Sequence, residues 1–250
     1  MIIDMHVHPP KKNSPLSLSD MAEAAKKCGI DRICLLGRVG ETRANPSKNE
    51  IKSINNETME LALKYPEIYS GFCYLNPAHD EKFLQNEIKR SITAGPLLGI
   101  KLWVAVKYSD PRMNFIMKKA LKLGIPVLVH AWYKSTEYHY NESTPLETAH
   151  LAGRFPDSVI IMAHLNGCGF RGVQDIKKFN NVFIETSGSQ PESGMIEYAV
   201  SHLGAERVIF GSDAAGRDFS SQMGKILGAE ITEREKLLIL GENAKKILKL

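Results

Sequence analysis

Eight short apolar runs, spread through 250 residues and separated by segments of helical periodicity, most constrain what this chain can fold into. Pro126-Val-Leu-Val and Val159-Ile-Ile-Met-Ala are near-continuous rather than alternating, the pattern of strands covered on both faces and hence of parallel strands joined by helical crossovers. The predicted strands are Ile2–His8, Asp31–Leu36, Tyr69–Leu75, Gly99–Val104, Pro126–His130, Val159–His164, Val182–Thr186 and Arg207–Ser212. Between them, Ile51, Ile54, Thr58, Leu61, Ala62 and Tyr65 share one helical face, and Met113, Ile116, Met117 and Ala120 share another.

The punctuation agrees with this alternation. Ser17-x-x-Asp20 and Thr232-x-x-Glu235 read as helix-capping signals, and Asp110-Pro111 as an N-cap before a proline at the first helical position. Gly29, Gly124 and Gly204 each end a helical segment a few residues before a strand. The strand-to-helix segments Gly37–Lys48 and Ala131–Ser143 are longer and more polar, which marks the C-terminal ends of the strands as the working face. Eight units of about 31 residues give an α/β fold, a (β/α)8 TIM barrel over residues 1–250 as one domain, with a helical segment after Thr232. A doubly wound open sheet would want a Gly-rich turn after its first strand, where this chain has His8-Pro9-Pro10.

A net charge of +4, with basic residues scattered rather than clustered, leaves no footprint for nucleic acid and is compatible with a small anionic substrate. Cys28, Cys34, Cys73 and Cys168 show no C-x-x-C spacing and fit reduced thiols. No secretory or membrane-spanning pattern is present, so a cytoplasmic protein without membrane partners is expected; a homo-oligomer is compatible.

The chemistry gathers at the strand ends. His6 and His8, at spacing i, i+2 on an extended backbone, point to one side and can close on one cation. Lys101, His130, His164 and Asp213 stand at or near the ends of strands four, five, six and eight. In a barrel those ends surround one mouth, so imidazoles, a carboxylate and an amine meet there, as a metal site requires.

Asp4-Met-His6-Val-His8, Gly99-Ile-Lys101-Leu, Pro126-Val-Leu-Val-His130, Met162-Ala-His164-Leu-Asn-Gly167, Arg207-Val-Ile-Phe-Gly-Ser-Asp213 and Leu240-Gly-Glu-Asn243-Ala span nearly the whole chain. As a set they resemble the amidohydrolase superfamily, specifically its amidohydrolase-2 group of metal-dependent TIM-barrel hydrolases and decarboxylases. That resemblance implies a divalent cation, zinc first and manganese second, with His6, His8 and His130 as ligands, Asp213 as ligand or proton acceptor, and His164 as acid/base. Binuclear relatives bridge two cations with a carboxylated lysine, which here would recruit Lys101 and His164 to a second metal. Relatives with Gly-Ile-Lys-Leu keep that lysine free, so one cation per chain is expected, beside a substrate-binding or charge-balancing Lys101. Trp103, Asn166 and the Ala214-Ala215-Gly216 run depart from the family pattern, and all lie on substrate-side loops.

The expected activity is therefore a metal-dependent hydrolase, in which metal-activated water attacks a small, anionic amide, lactone or ester, with Asp213, His164 and Lys101 catalytic. The alternative is a decarboxylase of a small hydroxylated or aromatic acid; because such decarboxylases commonly have longer chains, length tilts the reading toward hydrolysis. Trp103, His139 and Glu185 are expected to touch substrate. A TatD-like nuclease would want a glutamate at Lys101, and a PHP-type phosphoesterase an Asp-x-His near Asp213. An inactive metal-binding scaffold would have no need of an unpaired acid/base at the mouth.

Overall fold

Eight parallel strands pair in sequence order: β1 (Ile3–Val7), β2 (Arg32–Leu35), β3 (Tyr69–Tyr74), β4 (Gly99–Leu102), β5 (Val127–Val129), β6 (Ile160–Met162), β7 (Val182–Glu185) and β8 (Val208–Ile209). This computed structural model describes residues 1–38, 44–134, 140–189 and 191–250. The helices are α1 (Leu18–Lys27), α2 (Lys48–Lys64), α3 (Glu81–Ile88), α4 (Met113–Leu123), α5 (Pro145–Arg154), α6 (Leu165–Ile176), α7 (Met195–Leu203), α8 (Phe219–Leu227), α9 (Glu233–Leu237) and α10 (Asn243–Leu248). The order is that of a (β/α)8 barrel, followed by the expected helical segment after Thr232.

The barrel closes between β8 and β1. Met5 N–H donates to Phe210 O (3.0 Å) and Asp213 N–H to His6 O (2.8 Å), while Val7 bridges Ala214. Asp4, fully buried, adds a side-chain tie: its Oδ1 accepts from the amides of His6 (3.1 Å) and Ser212 (3.0 Å).

Apolar residues divide between two cores, as a closed sheet with helices outside it demands. One lies between sheet and helices and takes Val7, Leu35, Val129 and Met162 with the buried faces of α2 and α4, including Ile51 and Met117. The other takes Ile3 and Met5 with Phe72, Leu128, Ile161 and Ile209, and is joined by Ala244 and Leu248 of α10. The tail thus fills the lower end of the barrel. Gly241 makes this approach feasible, because a Cβ there would stand 2.0 Å from the carbonyl oxygen of Met1. Asn243 fastens it by donating from Nδ2 to Ala205 O and Val208 O, both at 2.8 Å.

One irregularity has functional weight. Ile3 and Asp4 pair with Arg32 and Ile33, but Val7 pairs with Leu35, so β1 carries one residue more than its partner over this stretch. Strict alternation would send Ile3, Met5 and Val7 the same way. With the bulge, Ile3 and Met5 pack in the inner core while Val7 joins the outer one, freeing His6 and His8 to turn into the mouth.

The glycines behave as read: Gly29, Gly124 and Gly204 have φ of 75°, 62° and 82°. Ser17 and Thr232 form full capping boxes with Asp20 and Glu235. The helix expected to begin at Asp110-Pro111 starts at Met113 instead. Asp110 Oδ1 accepts from the Arg112 amide at 2.8 Å and its carboxylate pairs with the Arg112 guanidinium, so the residues it would cap form a tight turn. All four cysteines are free thiols, and no helix of the described residues is long and apolar enough to cross a membrane.

Replacing Asn243 with Ala should cost about 2 kcal/mol, because two backbone carbonyls lose their donor. A lowered denaturant midpoint with unchanged slope checks it.

Candidate functional site

His6 and His8 bring their Nε2 atoms to 3.2 Å of each other, with Asp213 Oδ1 at 3.5 Å from the first and 3.6 Å from the second. The other ring nitrogens fix the tautomers. His8 Nδ1 lies 2.6 Å from the carbonyl of Gly37, which only accepts, so that nitrogen carries the hydrogen. His6 Nδ1 likewise faces a carboxylate, Glu185 Oε1, at 3.0 Å. Burial first, then the nearby Lys101 ammonium, hold His8 near 4 and His6 well below the ordinary value, so both rings are neutral. Two bare lone pairs and a carboxylate oxygen therefore converge on one point, an arrangement that repels itself unless a cation sits among them. Tetrahedral coordination with bonds of about 2.1 Å separates ligand atoms by about 3.4 Å, close to the spacing here. The three donors fit a divalent cation.

Glu185 backs this group from β7. It has no exposed surface and accepts from His6 Nδ1, from the amides of His164 (2.6 Å) and Ser187 (2.8 Å), and from Ser187 Oγ (2.6 Å). Ser187 Oγ in turn lies 2.8 Å from His164 Nδ1, so one carboxylate orients a ring at the cation position and, through a hydroxyl, the ring of His164. His164 and Asp213 both take left-handed backbone, with φ of 70° and 60°, just beyond their strands. This turns the chain sharply and aims each side chain into the mouth.

His130 reaches the same mouth from β5. Its Nδ1 is 3.0 Å from His164 Nε2, and its Nε2 is 2.6 Å from Glu142 Oε1 in the loop before α5. Glu142 Oε2 is held by Lys134 Nζ at 2.5 Å. Lys101 on β4 is 1% exposed. Burial draws its ammonium down to about 8, against the opposing pull of Asp213 and Glu185. For Asp213, burial and the charge of Glu185 push the carboxyl up to about 7, against Lys101 and Arg217.

These groups open onto a cavity of about 360 Å³. His6, His8, Lys101, His130, His164 and Asp213 line it; two indoles, Trp103 and Trp132, do so as well, with the exposed Lys11 and with Arg38, whose guanidinium is paired with Glu57 at 2.8 Å. Trp132 lies flat against Gly167, where a Cβ would come within 2.5 Å of the indole.

The amidohydrolase family model matches residues 3–250. The chain belongs to the amidohydrolase family. Among solved structures, this amidohydrolase is similar to the 5-carboxyvanillate decarboxylase of Sphingomonas paucimobilis, with 16% identity, a TM-score of 0.79, and coverage of 100% of this chain and 99% of that one. It is similar to the 2,6-dihydroxybenzoate decarboxylase from Rhizobium, at 16% identity, TM-score 0.79 and coverage of 99% and 98%. A third is the dihydroxybenzoic acid decarboxylase of Polaromonas, solved with manganese and 2-nitroresorcinol, at 15% identity, TM-score 0.78 and coverage of 100% and 97%. At these identities the likeness is one of fold. Among curated proteins no sequence matches the chain.

Of the residues singled out from sequence, the structure brings His6, His8 and Asp213 into one donor group and places Lys101, His164 and Trp103 around it. His130 lines the cavity as well: Glu142 Oε1, which only accepts, fixes the ring hydrogen on Nε2 and leaves Nδ1 bare, 3.0 Å from His164 Nε2. One residue differs from expectation. Glu185 does not line the cavity; its carboxylate is taken up by His6, His164 and Ser187 behind it. His139 lies outside the described residues. Sequence reasoning missed Glu142, Ser187 and Arg38, each a lone polar residue in a loop with no spacing to signal it. Cys168 is buried against the carbonyls of Ala131 and Ala163, and burial pushes its thiol well up, so it is no nucleophile.

Metal loading should be pH-dependent through Asp213. Its carboxyl, raised to about 7, must give up a proton when a cation binds below that pH, whereas His8, lowered to about 4, is already neutral. Calorimetry of the apo-protein in two buffers of different ionisation enthalpy should show about one proton released per cation at pH 6, falling toward none by pH 8, with affinity rising up to about pH 7 and levelling beyond.

Proposed function

We propose that this amidohydrolase is a metal-dependent decarboxylase of a small aromatic or hydroxylated carboxylic acid, working with one divalent cation. The observation that carries the reading is the Lys101 ammonium. It lines the cavity almost without solvent exposure, and among the described residues no hydrogen bond or ion pair holds it. A buried cation facing a cavity calls for an anion from the ligand, and at 4 Å in a protein-like dielectric such a pair is worth about 4 kcal/mol before desolvation. Trp103 and Trp132 supply flat apolar faces suited to an aromatic body. The three decarboxylases of similar fold support the same choice.

In this reading Lys101 holds the substrate carboxylate, and the indoles hold its ring. A cation held by His6, His8 and Asp213 would supply Lewis-acid stabilisation of a substrate oxygen that gains charge as the carbon–carbon bond breaks. The electron pair of that bond stays on the substrate carbon and CO₂ departs; His164, whose Nδ1 hydrogen is held by Ser187, takes a proton from solvent on Nε2, passes it to the carbon and returns to its neutral form. Two imidazoles and a carboxylate suit zinc and manganese alike, and the manganese of the Polaromonas relative supports loading trials with both.

Hydrolysis, the first expectation from sequence, uses the same groups. What favoured it was chain length, and length does not separate the two, since the alignment covers 99% of the Sphingomonas decarboxylase.

Metal-loaded protein should release CO₂ from one or more hydroxybenzoates while leaving a panel of lactones and amides intact. His164→Asn should lower turnover by roughly 10²-fold or more with the metal retained, and Lys101→Met should raise KM more than it lowers kcat. Lactone or amide cleavage without CO₂ release would replace this reading with hydrolysis.

A further inference from the structure

We infer that Lys225, on α8 and outside the cavity, is a positioning residue that ties the first turn of α6 to the segment after β7 and so holds the Ser187 hydroxyl against the ring of His164. This role rests on the proposed reaction, in which His164 is the proton donor. The Lys225 ammonium donates to Asn166 Oδ1 at 2.7 Å and to the carbonyl of Thr186. Asn166 stands two residues past His164, and Thr186 immediately precedes Ser187. Asn166 is also one of the departures from the family pattern, and Lys225 is the partner its side chain acquires. That one contact orients the amide: Oδ1 takes the ammonium, while Nδ2, although buried, has no partner among the described residues. The Asn166 N–H donates in turn to Ser187 O at 3.2 Å, and Arg217 Nε to Gly188 O at 2.9 Å. Three consecutive carbonyls, 186 to 188, thus each take a donor from a different element. The segments can lie this close because residue 188 is a glycine with φ of 122°, where a Cβ would stand 2.9 Å from Gly167 N.

What this strap controls is a hydrogen. Ser187 Oγ donates to Glu185 Oε1 at 2.6 Å, so its lone pairs face His164 Nδ1 at 2.8 Å and that nitrogen carries the hydrogen. Nε2 is then the bare nitrogen, the one that must take a proton before passing it to carbon. Glu185 holds Ser187 from within, through its amide (2.8 Å) and its hydroxyl; the three carbonyl contacts hold it from outside. Of the outer donors Lys225 alone grips both the α6 turn and the segment after β7, and bonds from an ammonium are stronger than bonds between neutral groups. Without it the Thr186 carbonyl and the Asn166 amide are both released, Ser187 Oγ can draw away from Nδ1, and His164 divides its hydrogen between its two nitrogens.

Nitrogen NMR of zinc-loaded protein with isotope-labelled histidine rings tests this whatever reaction is catalysed. In the wild type, the His164 ring, assigned by its loss in His164→Asn, should show a protonated Nδ1 and an unprotonated Nε2 at neutral pH. Lys225→Met and Asn166→Ala should each move that ring toward a mixture of tautomers, with metal content unchanged, and Lys225→Arg should keep the wild-type pattern. Lys236→Met, which removes another part-buried lysine that donates to a backbone carbonyl (Leu227 O, 3.1 Å), should leave the ring as it is. On a hydroxybenzoate that the protein decarboxylates, Lys225→Met should lower kcat roughly 10-fold with KM within about twofold, and Lys225→Arg should restore most of it. Wild-type His164 signals in Lys225→Met and Asn166→Ala would overturn the inference, and either variant decides if the other does not fold. An equal shift in Lys236→Met, or a wild-type His164 protonated on Nε2, would overturn it as well. If no hydroxybenzoate is turned over but the ring signals move as expected, Lys225 keeps its positioning role and only the proposed reaction falls.

Discussion

The mouth of the barrel is arranged around a charge that has no access to water, the carboxylate of Glu185. Burying such a group costs several kcal/mol unless donors surround it. Here they come from His6 Nδ1, the amides of His164 and Ser187, and the Ser187 hydroxyl. Gly211 lets the carboxylate sit where it does, since a Cβ at that position would stand 2.1 Å from Oε2. Satisfying Glu185 leaves His6 no choice of tautomer. Its second nitrogen is then bare, facing the equally bare nitrogen of His8, and only a cation makes that pair stable. The metal chemistry at the surface of the pocket is in this sense dictated one layer below it.

Charge across the pocket follows the same logic. Glu185 and an ionised Asp213 are offset by Lys101 and a divalent cation, leaving an excess of one positive charge in a poorly solvated space. Glu142 and Lys134 cancel each other and add nothing to that sum. A monoanionic ligand restores balance.

Much of this was legible in the sequence, for reasons that are local. Val159-Ile-Ile-Met-Ala can only be a strand covered on both faces, and glycines such as Gly124 and Gly204 mark where helices stop, so the barrel follows from patterns within ten residues. The histidines and Asp213 are visible because they end such strands. Glu142 has no such marker: it stands in a polar loop, and its hold on His130 exists only because the loop folds back over β5. Glu185, at a strand end, is spaced like a pocket residue, and nothing in the chain says that Ser187 and His6 will consume it. The bulge in β1 was equally invisible, since its extra residue shows only against the register of β2. The start of α4 shifted because a side chain bonded to its own neighbours rather than to a helix.

The tail that fills the base of the barrel sets an order of events in synthesis. β1 leaves the ribosome first, yet the inner core around Ile3 and Met5 is incomplete until Ala244 and Leu248 arrive, and β8 lacks its clasp until Asn243 does. At typical elongation rates of about 5–20 residues per second, the first strand must wait on the order of ten seconds or more for the last helix. During that interval the growing sheet has an open edge on the strand that carries His6 and His8, and a hole where its plug belongs. The metal-binding pair is therefore assembled among the last features of the barrel, although the strand that carries it precedes the other seven in the chain.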